Sequence, residues 1–577
     1  MQAELGWIDY SIIIGFFIVS LLIGILVSKQ SGKSSEDFFL SGRNMPWWLL
    51  GVSMVATTFA ADTPGLVTQI VRKDGVMGNW VWWSMLLTGT VTVFFYAKLW
   101  RRSGVTTDLE FYELRYSGKS AAFLRGFRAV YLGFFFNIVT MAGVCLAGAK
   151  IAEVIFDIDQ LTFISIAGGV TVIYSMMGGL KGVLITDFFQ FIMAMIGSVW
   201  ATYYIVNMPE VGGVDNLVSS LSLETKNFLP STDNWELFLA VFLIPIAVQW
   251  WSIWYPGAEP GGGGYIAQRM LAAKDEKHAT WATLFFNFAH YALRPWPWIL
   301  IGLASLVVFP DLESLSASFS HVDKGLIDHD AAYSAMISYL PAGLIGLVLA
   351  SLIAAFMSTI STQLNWGSSY IVNDVYKRFI NKSASEKQMV VWGRLSTLVL
   401  MIFAGALSFY IKSSKDFFDL LLQIGAGTGL LFILRWFWSR INPYSEITAM
   451  GVSFLMAIVF KIYNVNVSEA DQLSGTFQLL VGVSITTISW VLVSLLTNPV
   501  EEKVLSDFNT KIFPSGNKFE GFEFKIIGFL AATVGIYCAL FATGYAIYGD
   551  LISFTISAVL LVISGAVLIT FRKKIFS

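Results

Sequence analysis

The chain has 577 residues, of which 56% are hydrophobic and only 13% are charged. Soluble domains carry about 25% charged residues, so this composition excludes a soluble protein and indicates a polytopic membrane protein. The net charge of −2 and the two cysteines, which both fall in apolar stretches, indicate neither nucleic-acid binding nor a disulfide framework nor a thiolate metal site.

Runs of about twenty apolar residues, the length that crosses a bilayer, recur along the whole chain. The first run is interpreted as a retained helix rather than a cleaved signal peptide, because no basic region precedes it. No stretch between the runs suits a soluble domain, so we expect one transmembrane domain over 1–577. The runs predict about fifteen helices, at 9–28, 47–70, 80–99, 127–155, 161–178, 182–206, 236–255, 280–309, 341–366, 392–413, 415–436, 446–463, 475–497, 524–546 and 550–571.

The basic residues mark one side of the membrane. If the N-terminus lies outside, the segments that become cytoplasmic, with the span ends beside them, hold 28 of the 37 Lys and Arg residues. Cytoplasmic loops of membrane proteins carry such an excess. The sequence therefore predicts an N-out, C-in protein of the cell membrane, which we expect to be a bacterial inner membrane.

Two predicted spans are interrupted by residues that disfavour a helix. The first contains the string Ala-Ala-Asp-Thr-Pro-Gly at 60–65, and the second runs at 254–264 into a segment rich in proline and glycine. Unpaired backbone is tolerated in a bilayer only where it is buried in protein or lines a cavity for a solute or an ion. The breaks therefore predict a transport site.

Each broken helix opens a set of five predicted spans. The first set covers 47–206 and the second covers 236–436, and an odd number of spans inserts the second set upside down. The sequence thus predicts an all-α core of two inverted five-helix repeats. A leading helix at 9–28 and additional C-terminal helices at 446–571 would flank this core.

Few charged side chains remain inside the predicted spans. A charge at the bilayer centre costs at least about 2.5–3.5 kcal/mol on insertion scales, so Asp62, Asp187, His290 and Arg294 are candidates for function. Structural alternatives remain for three of them. Asp187 can cap its helix or pair with Lys181, Asp62 can bond the loosened backbone beside it, and Arg294 can be satisfied by freed carbonyls or reach the interface.

A group of hydroxyl residues interrupts the ninth predicted span. Ser358, Thr359, Ser361 and Thr362 fall within five positions of an otherwise apolar helix. Residues three or four positions apart share a helix face, so their oxygens and nearby carbonyls can converge as ligands of a hard cation. The alternative is structural, since small and hydroxyl residues also let membrane helices pack closely.

Several motifs spread over about 10–440 resemble those of the sodium/solute symporter family, which includes sodium/glucose, sodium/galactose, sodium/proline and sodium/sialic acid transporters. Each motif alone is weak, but together they are specific. They are the strings at 35–43 with 46–48, at 174–180 with 186–190, at 265–269 with 271–274, and the hydroxyl group at 358–362 with 373–377.

The resemblance implies a leucine-transporter-like core, Na⁺ as the coupling ion and no organic cofactor. The sodium site of the family joins carbonyls of the first repeat helix to a carbonyl and hydroxyls of the eighth, and the matching positions here are Ala56, Phe59, Ala355, Ser358 and Thr359. Some sodium/sialic acid relatives have a second sodium site, and its ligand types are present here as Asp187, Ser361 and Thr362.

The solute region departs from the pattern of the sugar-transporting relatives. Where those have an Asn and an aromatic gate, this chain has Gln249, Trp250 and an inserted segment rich in proline and glycine. Tryptophan faces suit the apolar face of a pyranose, with Gln249 and His290 as hydrogen-bonding groups, which favours a sugar. Candidate solute-binding residues are Asp62, Thr63, Trp82, Ser84, Gln249, Trp250, His290, Arg294 and Gln423.

Other readings of the same residues stay open. Arg294 beside His290 suits the carboxylate of a sialic acid, an amino acid or a monocarboxylate, and the tryptophans can belong to an interfacial belt. A solute sensor without net transport is an alternative from another class. An enzyme is not expected, because the helices carry no zinc-protease or nucleophile-elbow motif. We expect the partners to be a small solute, sodium and the lipid bilayer, with neither nucleic acid nor an obligate protein partner.

Overall fold

The computed structural model describes residues 5–156, 158–253, 259–318, 327–411, 424–468 and 471–576. Within these ranges the regular elements are helices, and one isolated bridge joins Met45 to Ala273. The helices are α1 (Trp7–Ser31), α2 (Ser35–Leu40), α3 (Trp47–Thr57), α4 (Thr63–Asp74), α5 (Val76–Ser103), α6 (Phe111–Arg115), α7 (Gly118–Glu153), α8 (Gln160–Val206), α9 (Val214–Ser220), α10 (Trp235–Ser252), α11 (Gly264–Ala272), α12 (Glu276–Val308), α13 (Leu312–Ser318), α14 (Ala331–Ile337), α15 (Leu344–Ile380), α16 (Glu386–Ser408), α17 (Gly429–Leu434), α18 (Pro443–Asn466), α19 (Gly475–Leu496), α20 (Glu502–Ile512), α21 (Phe522–Tyr548) and α22 (Leu551–Thr570).

Twelve of the described helices are long and apolar enough to cross a membrane, where the sequence predicts about fifteen. Three segments account for the difference. The predicted span at 47–70 forms two shorter helices, α3 and α4. The predicted spans at 161–178 and 182–206 are joined in α8, and the one at 415–436 lies partly outside the described residues.

Helix α8 contains a sharp turn at Gly179, where φ is 51° and ψ is −156°. A straight helix of its 47 residues would be about 70 Å long, which exceeds two hydrocarbon cores of about 30 Å each. The turn at Gly179 therefore divides α8 into two spans, at the position where the sequence predicts their boundary.

The break between α3 and α4 has a local cause. The amides of Thr58 and Phe59 bond back to the carbonyls of Met54 and Ala56, at 3.2 and 3.3 Å, which ends α3. Pro64 lacks an amide proton and is confined to the first turn of α4. The helix is thus interrupted at mid-span, which leaves carbonyl oxygens without helical partners.

The second predicted break follows α10. Residues 254–258 lie outside the described residues, and the chain is described again from Glu259. Gly261, Gly262 and Gly264 have φ values of 79°, 81° and 54°, a backbone region that only glycine adopts readily. The glycine-rich string therefore turns the chain sharply before α11 begins.

Helix α15 forms the centre of the molecule. Nearly every residue from Leu344 to Tyr370 is buried, and α15 packs against α1, α7, α8 and α16. Its burial explains why small and hydroxyl residues are frequent along it, since they let neighbouring helices approach closely. By contrast, α18, α19 and α22 expose large apolar side chains, as expected of helices that face lipid.

The segments predicted to be cytoplasmic contact one another. Their basic side chains reach carbonyls and carboxylates on neighbouring predicted cytoplasmic segments. These contacts join Arg43 to Gly104, Arg101 to Ala273, Arg102 to Glu276, Arg115 to Trp438 and Arg125 to Asp374. The basic segments therefore lie on one side of the helix bundle.

Candidate functional site

The hydroxyl residues of α15 lie against the broken end of α3. The Thr359 hydroxyl donates to the carbonyl of Thr57 at 3.2 Å and also approaches the carbonyl of Phe59 at 3.5 Å. The hydroxyls of Thr57 and Thr362 are 2.9 Å apart. The break in the first repeat and the polar stretch of α15 thus form one oxygen-rich contact.

Asp187 on α8 faces the same contact. Its side chain has no exposed surface, and its carboxylate accepts hydrogen bonds from Ser53 at 2.5 Å and from Ser358 at 2.6 Å. Asp187 does not pair with Lys181, the interfacial alternative, because Lys181 donates to Gln30 at 2.5 Å instead. Asp187 is therefore a membrane-buried anion held by hydroxyl groups of α3 and α15.

Arg269 on α11 is the counterion of this carboxylate. Its Nη2 lies 3.8 Å from an oxygen of Asp187 and donates to Thr362 at 2.6 Å and to Ser53 at 3.2 Å. Arg269 is also fully buried. One arginine thus contacts α3, α8 and α15 at the same point.

Sequence reasoning did not single out Arg269, Ser53 or Thr57. A signal for the two hydroxyls was present, because Ser53 and Thr57 are four residues apart on α3, as Ser358 and Thr362 are on α15. Arg269 stood within a family motif, but nothing local to it indicates that it reaches Asp187.

The donor chemistry of this contact fits Na⁺. Hard cations take oxygen ligands, and the groups present are hydroxyls, carbonyls and a single carboxylate. Among the described residues, no three His, Cys, Asp or Glu side chains gather as they would for a transition metal. Of the other predicted ligands, the Ala56 carbonyl accepts from the Phe59 amide at 3.3 Å at the end of α3, and Ser361 donates to the Ser358 carbonyl at 3.0 Å. Ala355 is buried on α15, one turn before Ser358 and Thr359.

Three candidate residues for the solute, Trp82, His290 and Arg294, gather beside the break on its other side. The guanidinium of Arg294 donates to the Thr58 carbonyl at 2.8 Å, approaches His290 Nε2 at 3.3 Å and lies 5.2 Å from the centre of the Trp298 ring. Trp82 meets His290 edge-on at 5.8 Å. The Thr58 carbonyl, freed by the break, therefore accepts a hydrogen bond from Arg294. This matches the structural alternative, in which freed carbonyls satisfy this arginine.

His290 is neutral and hydrogen-bonded on both nitrogens in this arrangement. A guanidinium can only donate, so Nε2 of His290 accepts from Arg294 and the ring proton is on Nδ1. That nitrogen lies 2.9 Å from the Thr58 hydroxyl, which itself donates hydrogen bonds to the Met54 and Val55 carbonyls at 3.0 Å. A relay of hydrogen bonds therefore runs from Arg294 to the end of α3.

The remaining predicted solute residues are divided between two places. Gln249 donates to the Val81 carbonyl at 2.9 Å, beside Trp82, and the Trp250 carbonyl accepts a hydrogen bond from Thr88. Ser84 is fully buried nearby, and its hydroxyl has no hydrogen-bond partner among the described residues. Asp62 and Thr63 form the start of α4, where the Thr63 hydroxyl accepts from the Ala60 amide at 3.2 Å. Gln423 lies outside the described residues.

A small polar cavity lies between α5, α12 and the second break. Its volume is about 20 Å³, and Thr88, Glu259, Asn287 and Tyr291 are among its lining residues. This space is large enough for a water molecule but too small for an organic solute. Glu259 was not predicted to be functional, although an acid in a broken span is a signal for it. Its carboxylate lies so near Gly264 that an added Cβ would come within 2.7 Å of Oε1.

A model of the sodium:solute symporter family matches residues 38–452. The chain belongs to the sodium:solute symporter family. It is 25% identical over 515 residues to the sodium/glucose cotransporter of Vibrio parahaemolyticus, a match that covers 85% of this chain and 92% of the relative. It is also 25% identical to the sodium/sialic acid symporter SiaT of Proteus mirabilis, over 88% of this chain and 99% of the relative.

Solved structures agree on the fold. A Na⁺-coupled sialic acid symporter in its substrate-bound outward-open state aligns with a TM-score of 0.69 at 22% identity, over 86% of this chain and all of the other. The predicted family, the multi-pass membrane topology in its coarse form and sodium as the coupling ion are thereby confirmed. The relatives are transporters, which agrees with the expectation that the chain is not an enzyme.

Proposed function

We propose that this symporter imports a small neutral solute, a sugar, together with sodium by alternating access. The single observation that carries the proposal is the contact of α15 with the broken end of α3 at Thr359, where freed carbonyls and hydroxyls converge. Such a contact is suited to a cation that must be bound on one side of the membrane and released on the other.

Sodium would link the two repeats. Bound between Ala56, Phe59, Ala355, Ser358 and Thr359, the ion would add attraction between α3 and α15 to the hydrogen bonds already there. A ligand shifts a conformational equilibrium toward the state that it binds better. Sodium would therefore favour the conformation in which the break is closed against α15 and the solute groups beside Thr58 are in place.

Ser358 would couple this site to a second one. Its hydroxyl donates a hydrogen bond to Asp187, and this leaves the lone pairs of the hydroxyl oxygen free to coordinate a cation on the other side. A second sodium at Asp187, Ser361 and Thr362 would share the Asp187 carboxylate with Arg269, which is 3.8 Å away. We propose that the second ion binds more weakly than the first, because the arginine already neutralises this carboxylate.

A neutral solute is favoured because Arg294, the charged candidate beside Thr58, is already engaged with protein groups and His290 is neutral. Arg294 is buried and engaged with the Thr58 carbonyl, His290 and the Trp298 ring, and His290 is neutral. Trp82, which is partly exposed, stacks on Tyr291 at 5.9 Å. Aromatic faces next to neutral hydrogen-bonding groups are the arrangement that suits a pyranose.

An anionic solute is the second candidate, and Arg294 is the observation that favours it. A carboxylate would have to displace the Thr58 carbonyl from the guanidinium, in exchange for a charge-assisted pair. The sodium/sialic acid relative shows that the family accommodates such a solute.

Uptake by purified protein in liposomes separates these candidates. With an inward sodium gradient, a panel of labelled hexoses, disaccharides, sialic acid, amino acids and monocarboxylates is offered one at a time. We expect a sugar to accumulate. Accumulation of an acid instead, abolished by Arg294→Gln, would replace the sugar with the second candidate, and binding without accumulation of any of them would favour a sensor.

The aromatic face gives a matched test of solute binding. Trp82→Ala is expected to raise the solute concentration for half-maximal uptake about tenfold, since a stacked aromatic contact contributes about 0.5–1.5 kcal/mol beyond area burial. Trp235→Ala is the control, because Trp235 is 57% exposed and lies away from the break. Equal effects of the two changes would contradict the assignment of Trp82.

A further inference from the structure

A large cavity opens between α5, α17 and the connector that joins α20 to α21. Its volume is about 750 Å³, within the range of 300–1,000 Å³ typical of ligand pockets. It lies among the basic segments, on the side that the charge bias marks as cytoplasmic, and it is separate from the break in α3. None of the predicted sodium or solute residues that the structure describes lines it.

Basic side chains dominate its charged lining. Among the described residues, five basic side chains line the cavity against one acid, Glu520, and the five are Lys98, Arg102, Lys518, Lys525 and Lys574. Four of them have other protein partners. Lys98 and Arg102 both contact Glu276, Lys518 donates to the Phe437 carbonyl at 3.3 Å, and Lys574 lies 4.6 Å from the centre of the Phe524 ring. The cavity therefore carries an excess of positive charge.

Lys518 lies in the connector and Lys525 in the first turn of α21. Both are half-buried, and neither forms an ion pair with a carboxylate among the described residues. Burial lowers the pKa of the Lys518 ammonium group below its usual value, and Arg115 adds to this shift. An anion placed between the two lysines would remove that penalty.

The rest of the lining is apolar and largely aromatic. Residues at the ends of α5 and α17 and in the connector supply it, among them Phe95, Leu99, Ile433, Phe437, Phe519 and Phe522. Because α5 and α21 are long and apolar enough to span the membrane, we expect this apolar wall to continue from the basic groups toward the lipid. A ligand with an anionic head and an apolar tail would match both parts.

We propose that this cavity binds the headgroup and upper acyl chains of an anionic phospholipid of the cytoplasmic leaflet. Basic pockets between transmembrane helices on this side are known to hold anionic headgroups. Because α5 belongs to the first proposed repeat and α17 to the second, a lipid bound here favours the arrangement of repeats in which the cavity exists.

Native mass spectrometry of the purified full chain tests the proposal without any transport assay. The protein in detergent is titrated with phosphatidylglycerol and, separately, with phosphatidylcholine of the same acyl chains. We expect retention of phosphatidylglycerol at concentrations at least about tenfold lower. Each of Lys518→Gln and Lys525→Gln should weaken its binding about fivefold, since a basic residue near an anionic lipid contributes about 1 kcal/mol.

Lys503→Gln is the matched control, because Lys503 is exposed on α20 outside the cavity lining. Equal retention of the two lipids, or an equal loss in the control variant, would overturn the proposal. Displacement of the lipid by inorganic phosphate at about 10 mM would overturn the proposal in favour of a free phosphate ligand. Only the singly substituted proteins that elute as a monodisperse peak are compared, and the wild-type comparison of the two lipids decides the outcome if a variant does not fold.

Discussion

The pair of Asp187 and Arg269 places two opposite charges in the interior of the protein, without exposed surface. Both side chains are fully buried, and the pair spans 3.8 Å. Charges of this kind cost several kcal/mol each to desolvate, and their mutual attraction offsets the cost only when further hydrogen bonds complete the geometry. The hydroxyls of Ser53, Ser358 and Thr362 supply those bonds.

Removing one member of the pair is therefore expected to destabilise the folded protein more than removing both. Asp187→Asn should destabilise the protein by about 3–5 kcal/mol, because it leaves Arg269 buried without a counterion. The double variant Asp187→Asn with Arg269→Gln should recover most of the thermal stability lost, as followed by melting of the purified protein in sodium-free buffer. Asp471→Asn, at an exposed position, serves as the control. A double variant as unstable as Asp187→Asn would show that the pair does not act as a unit.

The sequence could predict part of this site. Hydroxyls in an apolar helix and a carboxylate within a span are locally abnormal, so Ser358, Thr359 and Asp187 were predicted to be functional. Arg269 follows the glycine-rich string, and an arginine near a predicted membrane interface gives no local sequence signal of a functional role. Its role depends on how α11 packs against α3 and α15, which no local pattern specifies.

At the scale of elements, one residue decides the shape of α8. Gly179 has a backbone conformation close to that found almost only in glycine, and an added Cβ would lie 2.6 Å from the Phe38 carbonyl oxygen. The turn also lets α8 pack against α1 and α2. The two spans of α8 therefore depend on a glycine at this position.

Gly179→Ala is expected to reduce the yield of folded protein sharply. Backbone strain in this region costs about 1–3 kcal/mol, and the clash with Phe38 adds to it. Gly169→Ala on the same helix is the matched control, since nothing lies within 4 Å of a Cβ there. The measurement is the fraction of monodisperse protein after extraction in detergent, and equal yields from the two variants would contradict the account.

Arg125 links the predicted cytoplasmic ends of several elements. It donates to Asp374 at 2.6 Å, to Glu113 at 2.7 Å and to Glu110 at 3.1 Å, while Arg378 donates to Glu113 at 2.6 Å. These contacts join α6 and α7 to the end of α15. They hold residues 105–117, which precede α7, against α15, the helix that carries the hydroxyl residues at 358–362.

Asp374→Asn is expected to weaken the contact between residues 105–117 and α15. Deuterium uptake by the amides of 105–117 should rise, because Asp374 is fully buried and is a main partner of Arg125. Arg378→Gln should change uptake much less, since its side chain is 33% exposed and exposed ion pairs contribute about 0–1 kcal/mol. The same uptake in both variants would mean that the network does not hold the segment.

Apolar runs predicted most of the helices but not where helices break or join. The turn at Gly179 follows from its φ angle, and the separation of α3 from α4 follows from Pro64 and the bonds at the end of α3. A hydropathy window averages over such single residues. For the same reason the sequence marks the second break only as a stretch from 254 to 264.

For the whole molecule, the charge bias predicts which side faces the cytoplasm. The basic segments contact each other, so one measurement of sidedness applies to all of them. Ser383→Cys, in the predicted cytoplasmic loop after α15, should react with an impermeant maleimide in inside-out vesicles. Ser219→Cys, in the predicted external segment, should react in right-side-out vesicles, and both positions are exposed. Cys145 and Cys538 are buried and should give little background. The reverse labelling pattern would invert the orientation.

We propose that sodium binds where α15 meets the broken end of α3 and thereby drives solute uptake. The most direct measurement is solute accumulation in liposomes with an inward sodium gradient or an equal potassium gradient, for the wild type and for Ser358→Ala with Thr359→Ala. We predict accumulation with sodium alone. The variant should need at least about tenfold more sodium, because a hydrogen bond to a charged group contributes about 1.5–3 kcal/mol. Accumulation without sodium, or an unchanged sodium requirement in the variant, would contradict this account.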